Sequence, residues 1–317
     1  MRRTGTLDGI QTPGAAIMRS EGVKPTELVL LLVLATLWGA SYTFIKIGVE
    51  TIAPITLIAA RTLIAAVVLT GVMHMRGKAL PRDAATWRQF AVQSLLNSVV
   101  PFTLIAYAER SVDAGLAVIL NAGTPIMAFL GTWLITRHES LTPRKAIGVI
   151  FGLAGTCWVV GTQALQDIGG QLMAQLAIVL ATACYGAAAI YGRQFKEMDP
   201  MAPAAGSLIC AAACMVPASA LMDHPWTLAP SSASLMALLA LSALSTALAL
   251  VIYFRLVGSL GSLGTTAQAY LRVPIGVLIA MAFLHERLAP TTWLGLACTV
   301  VGVAAMVTPA SKPSISR

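Results

Sequence analysis

Arg272 stands one helical turn after Gln268 and two residues before Pro274, in an otherwise apolar run. A guanidinium can hold a carboxylate through two parallel hydrogen bonds, and Thr265 and Gln268 share its face at helical spacing. Pro274 has no N–H, so the carbonyl of Tyr270 loses its helical partner and becomes a free acceptor. This points to a binding site, against the structural alternative of a lone arginine held by carbonyls for packing. Two other cations, Lys46 and Arg61, lie in apolar runs. Lys46 ends its run and can snorkel to the interface. For Arg61 the structural reading, a pair with a helix-end acid or a carbonyl, is favoured over substrate contact.

Polar and aromatic residues add to this pattern. Asn121 precedes Pro125 by one turn, Ser94, Asn97 and Pro101 share a face, and Trp38, Tyr42 and Lys46 follow four-residue steps. Tyr185 lies in a sixth apolar run, and Ser242, Ser245 and Tyr253 in an eighth, where Tyr253 reads as an interfacial anchor. The candidate substrate-binding set is therefore Arg272, Gln268, Tyr270, Asn121, Asn97, Trp38, Tyr42, Tyr185 and Arg61. None of the thirteen acids falls near a predicted midplane. Glu109 comes nearest and is expected to cap or pair, so binding should need no proton at the core.

Catalysis finds no support. His138-Glu139 and His285-Glu286 begin like a zinc-protease helix, but Thr142 and Ala289 stand where the second histidine belongs. There is no Gly-rich phosphate loop, and His74, His138, His224 and His285 all sit at run ends, where solvation is the default. Cys157, Cys184, Cys210, Cys214 and Cys298 lie in apolar runs without a Cys-x-x-Cys pair and read as packing residues. No enzyme activity, metal or cofactor is expected.

The elements that position these residues are membrane spans. Of 317 residues, 57% are hydrophobic and 11% charged, and mean hydropathy is +0.80, more apolar surface than a soluble domain can hide. The net charge of +8 gathers between apolar runs, a positive-inside pattern rather than a nucleic-acid footprint. Ten runs of spanning length fall near 27–47, 54–74, 88–108, 114–135, 143–161, 171–191, 200–221, 233–254, 262–284 and 290–308. Residues 1–26 are polar and expected to be a disordered cytoplasmic tail, with Met18 an alternative start. Residues 162–170 connect two halves, and 309–317 form a second cytoplasmic tail.

The halves repeat. His138, Glu139, Leu141, Pro143, Gly148 and Gly155 recur at one offset as His285, Glu286, Leu288, Pro290, Gly295 and Gly302. Five spans per half is an odd number, so the second copy must enter upside down. Its charges agree: the loop after span 2 carries Arg76, Lys78, Arg82 and Arg88, whereas residues 223–235 carry no Lys or Arg. Arg137, Arg144 and Lys145 become Leu284, Thr291 and Thr292.

Trp38-Gly39-Ala40-Ser41, Lys46, Pro54 and Arg61 resemble the opening of an EamA-type half. Pro125 with Glu139-x-Leu141-Thr142-Pro143, and Pro274 with Glu286-Arg287-Leu288, resemble its close. The chain thus resembles the drug/metabolite transporter superfamily over about residues 27–308. The resemblance implies an all-α integral membrane protein of ten transmembrane helices, in two inverted five-helix repeats (27–161 and 171–308) around a central cavity. It further implies an inner-membrane secondary transporter with cytoplasmic termini, exporting amino acids or related metabolites by alternating access without ATP hydrolysis. An organic-anion or sugar-phosphate exchanger is the alternative, disfavoured by a single central arginine. The expected partners are a small-molecule substrate and the lipid bilayer, with no nucleic acid and a monomer as the simplest assembly.

Overall fold

The computed structural model describes residues 25–133, 143, 147–148, 150–152, 154–155, 158, 170–266, 268–286 and 290–307. Expectations placed on the tails, on Arg137, His138, Glu139, Leu141, Thr142, Arg144, Lys145 and Cys157, and on Arg287, Leu288 and Ala289 lie outside these residues.

Among the described residues the chain is helical, without strands. Helix α1 spans Pro25–Val49 and α2 Pro54–Met75, the latter opened by a proline at its first turn, where a missing N–H costs nothing. Helix α3 spans Ala84–Ala108 and α4 Ala114–Gly131. Then come α5 (Gly170–Tyr191) and α6 (Met201–Met222). Helix α7 runs from Ser232 through Thr266, followed by α8 (Gln268–Leu284) and α9 (Pro290–Val307). Seven helices are long and apolar enough to cross a membrane, and two shorter apolar stretches lie at Leu271–Leu284 and Trp293–Gly302. Helical backbone of the eighth predicted run, near 233–254, extends through Thr266. Thr265, Gln268 and Arg272, expected on one face, line the same cavity.

Interruptions in the helices recur within one or two residues of the repeat offset. Helix α3 carries a π turn at Leu95–Val99 and α7 one at Ala243–Leu248. Asp83 caps α3 by accepting from Thr86 N, and Ser231 caps α7 by accepting from Ser234 N. A side-chain oxygen there satisfies an N–H that a helix start leaves orphaned. Packing repeats too. Helix α1 lies on α8 and α7, as α5 lies on α4 and the second part of α3, and α2 faces α6. Gly39 lets α1 approach to where a Cβ would stand 3.1 Å from Arg272 O and Gly276 N. Gly186 does the same between α5 and α4, at 2.7 Å from Ala128 N. Gly302 of α9 rests on the backbone of Gly148 and Gly152. Such small-residue contacts replace the hydrophobic drive that lipid cannot supply.

Bonds tie two sets of loops at opposite faces. On one face, Glu286 accepts from Ala114 N and Gly115 N at 2.9 Å each, and Asp223 accepts from Thr56 N at 2.8 Å. On the other, Lys78 pairs with Asp199.

Candidate functional site

A cavity of about 60 Å³, room for a few water molecules, lies where the helices converge. Its walls bring together Trp38, Tyr42, Arg61, Asn97, Asn121, Tyr185, Gln268 and Arg272, all but one of the candidate substrate-binding set. The remaining one, Tyr270, lies in α8, and its side chain falls outside the described residues.

Helix distortions expose this polar lining. Pro125 cannot donate to Asn121 O, and a 3-10 turn at Asn121–Gly123 takes up the irregularity. Without an N–H from Pro125, that carbonyl accepts from Thr124 N–H within the 3-10 turn, from Arg272 Nη2 at 3.0 Å and from Thr124 Oγ1 at 2.9 Å. The Asn121 amide donates to Tyr42 OH, while its oxygen accepts from Thr124 at 2.8 Å and Thr182 at 3.2 Å. The π turns act alike, bringing Asn97 from α3 and Ser245 from α7 to the cavity. Bulges of this kind concentrate at functional sites.

Arg61 departs from its expected pairing with an acid or carbonyl. Its Nε donates to Thr246 Oγ1 at 2.6 Å, and its guanidinium carbon sits 3.6 Å from the centre of the Phe102 ring. A cation over an aromatic face is stabilised by the ring quadrupole. Thr246 is available because its π turn redirects it, and its hydroxyl also reaches Leu241 O at 2.7 Å. Lys46 reaches the end of α3, where its Nζ donates to Glu109 O at 2.8 Å and Val112 O at 2.9 Å and caps that helix end. Glu109 neither caps nor pairs through its side chain among the described residues. Tyr253 is no interfacial anchor either. It is buried beside the cavity and meets the Trp38 ring at a centroid distance of 5.4 Å.

Sequence reasoning missed Ser41, Phe102, Thr124, Tyr253 and the apolar lining residues Ile45, Ile105, Ala189 and Leu250. Phe102 follows Pro101 and carried no pattern of its own. Ser41 was visible as the fourth step of the Trp38-Gly39-Ala40-Ser41 motif.

The arrangement presents two guanidiniums and no carboxyl among its lining residues. Arg272 Nε, Gln268 Oε1 and Ser245 Oγ are buried without a hydrogen-bond partner among the described residues. Buried polar groups are normally satisfied, so these atoms are suited to a polar guest. Among the described residues no group of His, Cys, Asp or Glu could hold a metal ion.

Comparison with known proteins agrees with this architecture. The chain is 24% identical to the uncharacterized inner membrane transporter YedA of Escherichia coli K12, over 86% of this chain and 88% of that protein. It is 22% identical to the uncharacterized transporter YoaV of Bacillus subtilis, over 86% and 94% respectively. One crystal structure superposes with a TM-score of 0.64 at 18% identity, covering 89% of this chain and 96% of that one, a likeness of fold. The EamA-like transporter family matches residues 25–161 and again 172–308. The chain belongs to the EamA-like transporter family and carries two copies of its domain.

Proposed function

We propose that the protein is a secondary carrier that exports small organic solutes, amino acids or related metabolites, by alternating access between two inverted five-helix halves. The carrying observation is a central cavity with Arg272 from one half and Arg61 from the other, both buried. An intramembrane cation is costly and marks a substrate path. Arg272 is suited to a carboxylate, and Trp38 with Tyr253 offers aromatic faces to an ammonium.

Helix directions support the inverted, ten-span reading. Helices α1 and α3 end at the Glu286 face, whereas their repeat mates α5 and α7 begin there. Helices α4 and α5 both run from that face to the Lys78 face, which requires one more crossing between them. Helical residues at 147–148 and 150–152, against which Gly302 packs, are placed to supply it. The basic loop of Arg76, Lys78, Arg82 and Arg88 then marks the cytoplasmic face, and both termini lie on it.

A second reading gains from the site. With Arg61 and Arg272 both lining the cavity, an organic-anion or sugar-phosphate exchanger has two cations rather than one to meet a dianion. Proteoliposomes loaded with single amino acids or phosphorylated sugars separate the two. Downhill amino-acid efflux dependent on the protein supports the exporter. Efflux only in exchange for an external organic anion replaces it with the second reading, and movement of neither class removes both.

A further inference from the structure

Between the cavity and the Glu286 face sits a carboxyl that the site does not use. Glu109 follows the last turn of α3 and is fully buried. Its carbonyl is bonded to Lys46 Nζ, but neither carboxyl oxygen has a hydrogen-bond partner among the described residues. The groups around it are Lys46 and Tyr42 from α1, Arg61 from α2 and Glu286 ahead of α9, with exposed Arg110 and Asp113 flanking it on its own connection. Glu286 meets the opposite environment. Both its oxygens accept backbone N–H groups at the start of α4, as an ionised carboxylate should.

We propose that Glu109 is a proton-binding site of the transport cycle, carrying H⁺ while the Glu286 face is closed and releasing it to water when that face opens. The proposal rests on the carrier reading for the existence of an open state. A buried carboxylate with no donor neutralises itself by taking a proton. Burial pushes the Glu109 carboxyl well above the usual carboxylate range, Lys46 opposes the rise and Glu286 adds to it. Because the raised affinity belongs to the closed face, closure takes up a proton and is favoured at low pH, and rising pH favours opening. Uptake and release occur at one face, so no net proton crosses the membrane. Solute binding at Arg272 then needs none.

The test uses the full-length protein in lipid nanodiscs without solute. In an infrared pH titration, the protonated-carboxyl carbonyl band should persist to neutral pH, vanish in Glu109→Gln and move in Glu109→Asp. Identical titrations in wild type and Glu109→Gln would overturn the proton site. In a cysteine-free background, Val112→Cys should react with a water-soluble maleimide several-fold faster at high pH, beyond the same comparison made with Glu109→Gln. Equal pH dependence in the two backgrounds would overturn the link to opening. Solute efflux from proteoliposomes is scored separately. Its absence in wild type sinks the carrier reading, whereas the infrared titration still decides Glu109.

Discussion

Arg272 of α8 donates through Nη2 to the backbone carbonyl of Asn121 in α4, 3.0 Å away. Pro125, four residues on, has no N–H for it, so beyond the 3-10 bond from Thr124 N–H the carbonyl can still accept from Arg272. A proline in one half therefore makes the contact point for an arginine in the other, and the guanidinium keeps Nε for a guest.

Arg272→Gln should weaken solute binding roughly ten- to a hundredfold, the worth of a lost charge-assisted hydrogen bond of about 1.5–3 kcal/mol. Arg272→Lys should recover only part of it, because an ammonium lacks the planar fork. Transport in proteoliposomes, with size-exclusion profiles as the folding control, checks this. Aggregation of Arg272→Gln would make the residue structural instead.

Pro125→Ala should imitate part of that loss. It restores an N–H that competes for Asn121 O and straightens the 3-10 turn beside the cavity. Transport should fall while thermal stability holds or rises. Unchanged transport would show that the turn does not set the position of Arg272.

Glycine substitutions should split by contact. Gly186→Ala places a methyl 2.7 Å from Ala128 N and should destabilise by about 1–3 kcal/mol. Gly71→Ala meets nothing within 4 Å and should stabilise by up to about 1 kcal/mol, the helix-propensity gain. Thermal melts of the purified variants compare them. A lower midpoint for Gly71→Ala than for Gly186→Ala would contradict this packing.

Topology is testable with single cysteines in a cysteine-free protein. Ala79→Cys lies beside Lys78 on one face and His285→Cys beside Glu286 on the other, and both positions are exposed. An impermeant maleimide added to cells should label only His285→Cys before lysis. Labelling of both would end the inverted arrangement.

The sequence made some of this plain and hid the rest for physical reasons. Charge placement and the doubled His-Glu-x-Leu motif indicate two halves, and an arginine in an apolar run is costly enough to mark a cavity by itself. Its partners were harder to foresee. Thr246 reaches Arg61 only because a π turn redirects it, and no residue pattern in Ala243–Leu248 announces that turn. Tyr253 reads as an anchor because an aromatic near a run end usually is one, but α7 continues to Thr266 and carries it inward. Glu109 follows the same logic. Its place at a span end suggested a cap or an ion pair, whereas the fold buries it completely, within reach of the charges of Lys46, Glu286 and Arg61.

Solute chemistry supplies the last prediction. The cavity lining offers Arg61 and Arg272 but no acid, so a bound amino acid would have its carboxylate met by charge. Its ammonium would face only aromatic rings and neutral oxygens, of which Trp38 and Tyr253 form a tilted pair. A cation–π contact is worth about 0.5–2 kcal/mol, less than the charge-assisted hydrogen bonds available to the carboxylate. Converting the carboxylate of a transported amino acid to an amide should therefore weaken competition for efflux more than acetylating its amine, by roughly tenfold or more. In Arg272→Gln the difference between the two derivatives should shrink. If the acetylated compound is the weaker competitor in wild type, the ammonium is the recognised group and an acid beyond these lining residues must hold it.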